Sequence, residues 1–105
     1  MVVALSATRR RGGDKGMYYT YILQSLKNNR LYVGSTSDLK RRFKEHNTGI
    51  GEEYTKKNRP FRIVFYEAYI RKEDAEKSEK FFKTGCGREV LKDKLSNYFN
   101  YSEIV

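Results

Sequence analysis

The stretch that decides the fold is Tyr18-Tyr19-Thr20-Tyr21-Ile22-Leu23-Gln24, followed by Lys27-Asn28-Asn29 and then Leu31-Tyr32-Val33-Gly34. Both flanking runs are rich in aromatic and branched residues, which favour extended backbone, and the triplet between them is turn-like, so the segment is predicted to be a β-hairpin. In such a hairpin Tyr19, Tyr21 and Tyr32 can present phenols from one sheet. Gly34 either ends the second strand or lets another group approach the backbone closely.

Working outward, Phe61 to Ala68 reads as a third strand, opened by the sole proline, Pro60. Between the hairpin and this strand a helix is expected, capped by Ser37 or Asp38, with Leu39, Phe43 and His46 as its inner stripe and Asn47-Thr48-Gly49 as its end. A second helix should run from about Glu73 to Thr84. Gly85 and Gly87 then interrupt it, and Arg88 to Tyr98 forms a third helix with Val90, Leu91, Leu95 and Tyr98 turned inward. The expected class is α+β: a three-stranded antiparallel sheet flanked by helices in the order β-β-α-β-α-α. Ile50 to Arg59 is polar and basic and reads as a surface loop. Residues 1–16, with Arg9-Arg10-Arg11-Gly12-Gly13, lack a periodic apolar face and read as a flexible basic leader, so that Met17 could be a natural start and 17–105 a single domain.

Composition narrows the class of function. With 38% hydrophobic and 14% aromatic residues, 105 residues suffice for one modest core. Twenty-two Lys and Arg against thirteen Asp and Glu leave a formal charge of +9, which favours a polyanionic partner, nucleic acid ahead of a membrane surface. No apolar run has the length of a membrane span and the chain start lacks a secretory pattern, so a soluble, cytoplasmic protein is expected. The single cysteine, Cys86, allows neither an intrachain disulfide nor a cysteine-rich zinc site.

Helical phase singles out two charged residues. In Lys72 to Lys83, Glu79 falls on the same stripe as Ala75, Ser78 and Phe82, whereas Glu73, Asp74 and Glu76 fall off it. A carboxylate on a core-facing stripe needs a cation, which points to an ion pair or a metal ligand. In Lys40-Arg41-Arg42 the first two side chains point to solvent, but Arg42 lies three residues after Leu39 and four before His46 on the inner stripe. Arg42 alone could bury its stem and snorkel to water, and His46 alone could be a hydrogen-bonded edge residue. A phenol facing an arginine can accept a proton from water, so tyrosine, arginine and glutamate together supply the base, the cation and the metal-holding carboxylate that phosphodiester hydrolysis uses.

These residues resemble the GIY-YIG endonuclease superfamily. Tyr19-Thr20-Tyr21 stands at the first motif with its last tyrosine retained, and Tyr32-Val33-Gly34 differs from the second only by Val for Ile. More closely, Tyr18 to Leu95 is similar to the small stand-alone bacterial putative endonucleases of that superfamily. The shared pieces are Thr20-Tyr21-Ile22-Leu23, Leu31 to Thr36, Asp38-Leu39, Arg41-Arg42, Glu45-His46-Asn47, Gly49, Tyr54-Thr55, Arg59-Pro60, Ala75 with Glu79, and Lys83. The resemblance implies a metal-dependent endonuclease hydrolysing DNA, with DNA expected over RNA. Tyr21 or Tyr32 would then be the general base or orient the attacking water, and His46 could share the base role. Arg42 would stabilise charge on the scissile phosphate. Glu79 would hold one Mg2+ or Mn2+, since a single carboxylate suits an ion that keeps several waters. Asn47, Thr55 and Lys83 would order the site or touch substrate. After Lys83 the chain departs from members that carry a polar residue in the final helix, which leaves that role unassigned.

Two other readings compete. A binding module would grip phosphates with the loop Tyr54-Thr55-Lys56-Lys57-Asn58-Arg59 and not cut. A basic structural protein would need Arg42 and Glu79 only as a buried ion pair.

Overall fold

The computed structural model of the chain describes residues 16–50 and 53–100, without the side chains of Glu53 and Tyr54. The expected leader lies outside this range apart from Gly16, as does the Tyr54 side chain expected to grip phosphate. The hairpin pairs β1 (Tyr18–Ser25) with β2 (Leu31–Thr36) antiparallel, with Tyr21 opposite Gly34 and Leu23 opposite Tyr32. Its turn is held by Ser25, whose hydroxyl accepts from the backbone N–H groups of Lys27 and Asn28 at 3.0 and 3.1 Å. Asn29 supplies the left-handed residue the turn requires, at φ 64°.

Strand β3 (Phe61–Tyr69) pairs antiparallel with the other edge of β1, giving the order β2-β1-β3 with the register shifted between Ile22 and Leu23. Alternation along β1 then supplies two separate cores. Tyr21, Leu23 and Phe61 pack with Leu39, Phe43, Tyr32 and Ile63 on one face. Ile22, with Phe82 and Leu91, packs with Val33, Val64, Phe65 and Leu95 on the other.

Helix α1 (Leu39–Thr48) covers the first face. Asp38 is its N-cap, accepting from Arg41 N at 3.1 Å, and Gly49 closes it in the left-handed conformation. Helix α2 (Glu53–Asn58) replaces the loop expected over Ile50 to Arg59. Its polar, lysine-rich sequence carries no apolar stripe; among its described side chains Thr55 is fully buried, and Ser25, Lys27 and Asn28 of the hairpin turn hydrogen-bond its last two residues.

Helix α3 (Lys72–Phe82) covers the second face through Ala75 and Phe82. The Thr20 hydroxyl donates to Ala75 O at 2.7 Å and fixes the register of this helix on β1. Helix α4 (Gly85–Lys94) begins three residues earlier than expected, because Thr84 caps it by accepting from Gly87 N at 3.0 Å. Gly87 lies inside the helix, where a Cβ would collide with the carbonyl of Phe81, so the absent side chain is what allows α4 to turn tightly against α3. The expected third helix is therefore two: α4 ends at Lys94 and a single turn, α5 (Ser96–Phe99), follows. Leu91 is buried as expected, whereas Val90 is 38% exposed, a correction to its inward placement: α4 rests one narrow stripe on α3 and the sheet. Among the described residues no helix is long and apolar enough to cross a membrane.

Candidate active site

Tyr21 stands at the centre of a buried polar network on the α1 face. It is 2% exposed, and its hydroxyl shares a 2.9 Å hydrogen bond with Nε2 of His46. His46, one helical turn beyond Arg42 and fully buried, shares a second bond through Nδ1 with the Thr55 hydroxyl at 2.8 Å. Arg42 also hydrogen-bonds Tyr21. A guanidinium can only donate, so it donates to the phenolic oxygen. If Tyr21 donates in turn to Nε2, then Nδ1 carries the ring proton and donates to Thr55, and each of these contacts pairs a donor with an acceptor. Tyr32 meets the same imidazole edge-on, ring centroids 5.1 Å apart.

The close approach of Tyr21 to its partner strand depends on Gly34. A Cβ there would lie 2.5 Å from the Tyr21 hydroxyl oxygen and 2.7 Å from Cζ, so Gly34 holds the phenol by having nothing in its way.

Arg42 is anchored by Glu45. Its Nη1 is 2.9 Å from Oε1 of Glu45, and Arg41 Nη1 is 3.0 Å from Oε2. Burial by itself would depress the Arg42 pKa, but the hydrogen bonds it donates to Glu45 and Tyr21 outweigh it and hold the pKa above its ordinary value. The Arg42 hydrogen bond chiefly, aided by Arg41 and opposed by desolvation, holds the Glu45 carboxyl below the usual range. Arg42 therefore remains a permanent cation whose fork is oriented before any phosphate arrives.

Glu79 reaches the site from the other face of the sheet. One oxygen accepts from the Ser35 hydroxyl at 2.7 Å and the other meets Lys83 Nζ at 2.8 Å, with the side chain 23% exposed. Glu79 thus pairs with Lys83 and not with Arg42, which corrects the buried ion pair weighed from sequence. Ser35 immediately follows Gly34, so successive residues of β2 hold Tyr21 on one face and Glu79 on the other. Tyr32 and Glu79 line one open cleft of about 430 Å³ with Lys83.

The remaining expected residues divide by what they touch. Asn47 clamps the start of β3, donating to Phe61 O at 3.1 Å and accepting from Phe61 N at 2.6 Å. Its amide and the hydroxyl of buried Thr55 are both engaged inside the protein, an arrangement that suits ordering the site, one of the two roles expected of them. Lys56, Lys57 and Arg59 are exposed. Two site residues escaped sequence reasoning: Glu45, whose i,i+3 spacing from Arg42 was a usable signal, and Ser35, whose bond to Glu79 spans 44 residues and leaves none.

A divalent cation was tested against these donors. Among the described residues no group of three or more His, Cys, Asp and Glu side chains is placed to hold a metal ion. A partly buried carboxylate beside a hydroxyl in an open cleft nevertheless fits magnesium, which takes few protein ligands and completes its shell with water and phosphate oxygens.

Relatives of the chain share its length scale. A UPF0213 protein of Streptococcus agalactiae is 40% identical over 65 residues, 62% of this chain and 73% of that protein. A UPF0213 protein of Pediococcus acidilactici is 39% identical over 77 residues, 71% of this chain and 78% of that protein. The solution NMR structure of a UPF0213 protein from Bacillus halodurans is 38% identical, covers 71% of this chain and 81% of its own, and gives a TM-score of 0.45. The sequence profile of the GIY-YIG catalytic domain matches residues 17–88, from the start of the hairpin into α4, and the chain belongs to that family.

Proposed function

We propose that the protein is a divalent-metal-dependent endonuclease that hydrolyses phosphodiester bonds in DNA. The observation that carries this reading is the Tyr21 hydroxyl, held between a permanent donor, Arg42, and an imidazole acceptor, His46. Tyr21 accepts a proton from the attacking water as its own proton passes to His46 Nε2. The water oxygen bonds to phosphorus, the bond to the leaving oxygen breaks, and the electron pair departs with that oxygen, which solvent protonates. Arg42 stabilises the charge that grows on the phosphoryl oxygens. Tyr32, half-buried at the mouth of the cleft, orients the water. Glu79, positioned by Ser35, is the residue that would hold Mg2+ or Mn2+, which supplies further positive charge at the phosphate.

Incubation of labelled duplex, branched and single-stranded DNA with Mg2+ or Mn2+ tests the reading. Cutting is expected, and Arg42→Ala and Glu79→Ala should each lower its rate by about a thousandfold or more, in line with losing a transition-state contact of roughly 4 kcal/mol. Circular dichroism should report both variants folded. Wild-type rates in both variants would remove the proposed site. A binding module without cleavage is the second reading, favoured by the engagement of Glu79 with Lys83. Metal-independent binding with no cutting of any substrate would select it.

A further inference from the structure

The cleft shared by Tyr32 and Glu79 carries more positive charge than its one carboxylate balances. Arg30 at the end of the hairpin turn, Lys83 after α3 and Arg88 in α4 all line it. Glu79 is already committed to Ser35 and Lys83. The Arg30 and Arg88 side chains have no hydrogen-bond or ion-pair partner among the described residues, Arg30 being tied to Asn28 only through its backbone N–H. Several other cations in the fold are paired: Arg41 and Arg42 meet Glu45, Arg71 meets Glu73, Lys72 meets Glu76 and Lys92 meets Glu89. Two arginines lining one concavity repel each other, and a phosphate relieves that repulsion because a guanidinium can donate two parallel hydrogen bonds to it. Phe82 and Leu91 form the floor of the cleft and are almost fully buried, so the attraction acts beside a low-dielectric wall.

We infer that Arg30 and Arg88 form a binding subsite for a backbone phosphate of the nucleic-acid strand, separate from the scissile phosphate that Arg42 would stabilise. The strand then lies along β2 past Glu79, its register set by a phosphate held outside the reacting centre. The identification of the anion rests on the nuclease reading, since the geometry by itself specifies only a phosphate-like group.

Fluorescence anisotropy of a short labelled single-stranded DNA in EDTA measures this binding without cleavage. The Arg30→Gln/Arg88→Gln variant is compared with Lys40→Gln/Lys44→Gln, which removes the same charge from exposed positions on α1. The arginine pair should weaken binding about tenfold or more and reduce the slope of log affinity against log salt by roughly 1, while the lysine pair weakens it only a few-fold. Equal losses in the two variants, or wild-type affinity in the arginine pair, would overturn the subsite, with unchanged melting temperatures establishing that both are folded. Wild-type protein that binds in this arginine-dependent way but never cuts with Mg2+ sinks the nuclease reading alone. Cutting by wild type together with unaltered binding by the arginine pair sinks the subsite alone.

Discussion

Toward α1, strand β1 turns Tyr21 and Leu23; toward α3 and α4 it turns Thr20 and Ile22. The first face buries a phenol, an imidazole and a hydroxyl in a connected chain, whereas the second is closed by Ile22, Phe82 and Leu91. Among the described residues every buried side-chain nitrogen and oxygen has a hydrogen-bond partner. The polar face is therefore affordable only as a complete network, while the apolar face gains from each buried carbon independently. The difference assigns a connected polar network beside apolar packing to one side of the sheet and an apolar cluster to the other.

Removing Phe82 should break that comparison most severely. Phe82→Ala is expected to cost about 3–5 kcal/mol, read as a lower urea midpoint with an unchanged slope, because the ring fills the space between Phe65, Ile22 and Leu91. A cost under about 1 kcal/mol would mean that the second face does not carry the packing assigned to it.

Cutting one link of the polar chain sharpens the comparison from the other side. Thr55→Val keeps the volume but leaves His46 Nδ1 without its partner, and should cost about 1–3 kcal/mol. It should also lower the cleavage rate through a misplaced Tyr21 with little change in DNA affinity, since Thr55 is sealed from substrate. An equal fall in affinity would place Thr55 at the surface of the site.

The smallest effect concerns pH. The Glu45 carboxyl, held below its ordinary value of 4.5 by Arg42 first and then by Arg41, contributes stability that is fully present above that value and is lost as pH falls through the lowered one. Thermal melts of Glu45→Gln should therefore lose less stability on acidification below 4.5 than the wild type does. Parallel pH curves for the two proteins would show that Glu45 does not anchor Arg42.

Sequence periodicity made the sheet, α1 and α3 legible because each buries a regular stripe: Leu39, Phe43 and His46 in one case, Ala75 and Phe82 in the other. Helix α2 was illegible for the complementary reason, since its sequence shows no apolar period and it is held by buried Thr55 and by hydrogen bonds from Ser25, Lys27 and Asn28 to its last residues. The start of α4 was misplaced because Gly85 and Gly87 read as breakers, yet Gly87 is required by the Phe81 carbonyl beside it. Phase located Arg42 and Glu79 on inner stripes, but phase is a property of one helix. Which cation meets which carboxylate is decided by how two helices sit on opposite faces of a sheet, and so Glu45 and Lys83, each close in sequence, took the partners that the single-helix patterns left open.

The hairpin from residues 18 to 36 contains Tyr21, Tyr32, Gly34 and Ser35, and it closes through a short turn. Short closures lose little chain entropy, so these four residues belong to one local unit of the chain. Arg42 and Glu79 come from helices that dock on opposite sides of that ribbon. The proposed site is therefore complete only where both helices are docked, and the hairpin by itself holds the two tyrosines in register without the arginine or the carboxylate.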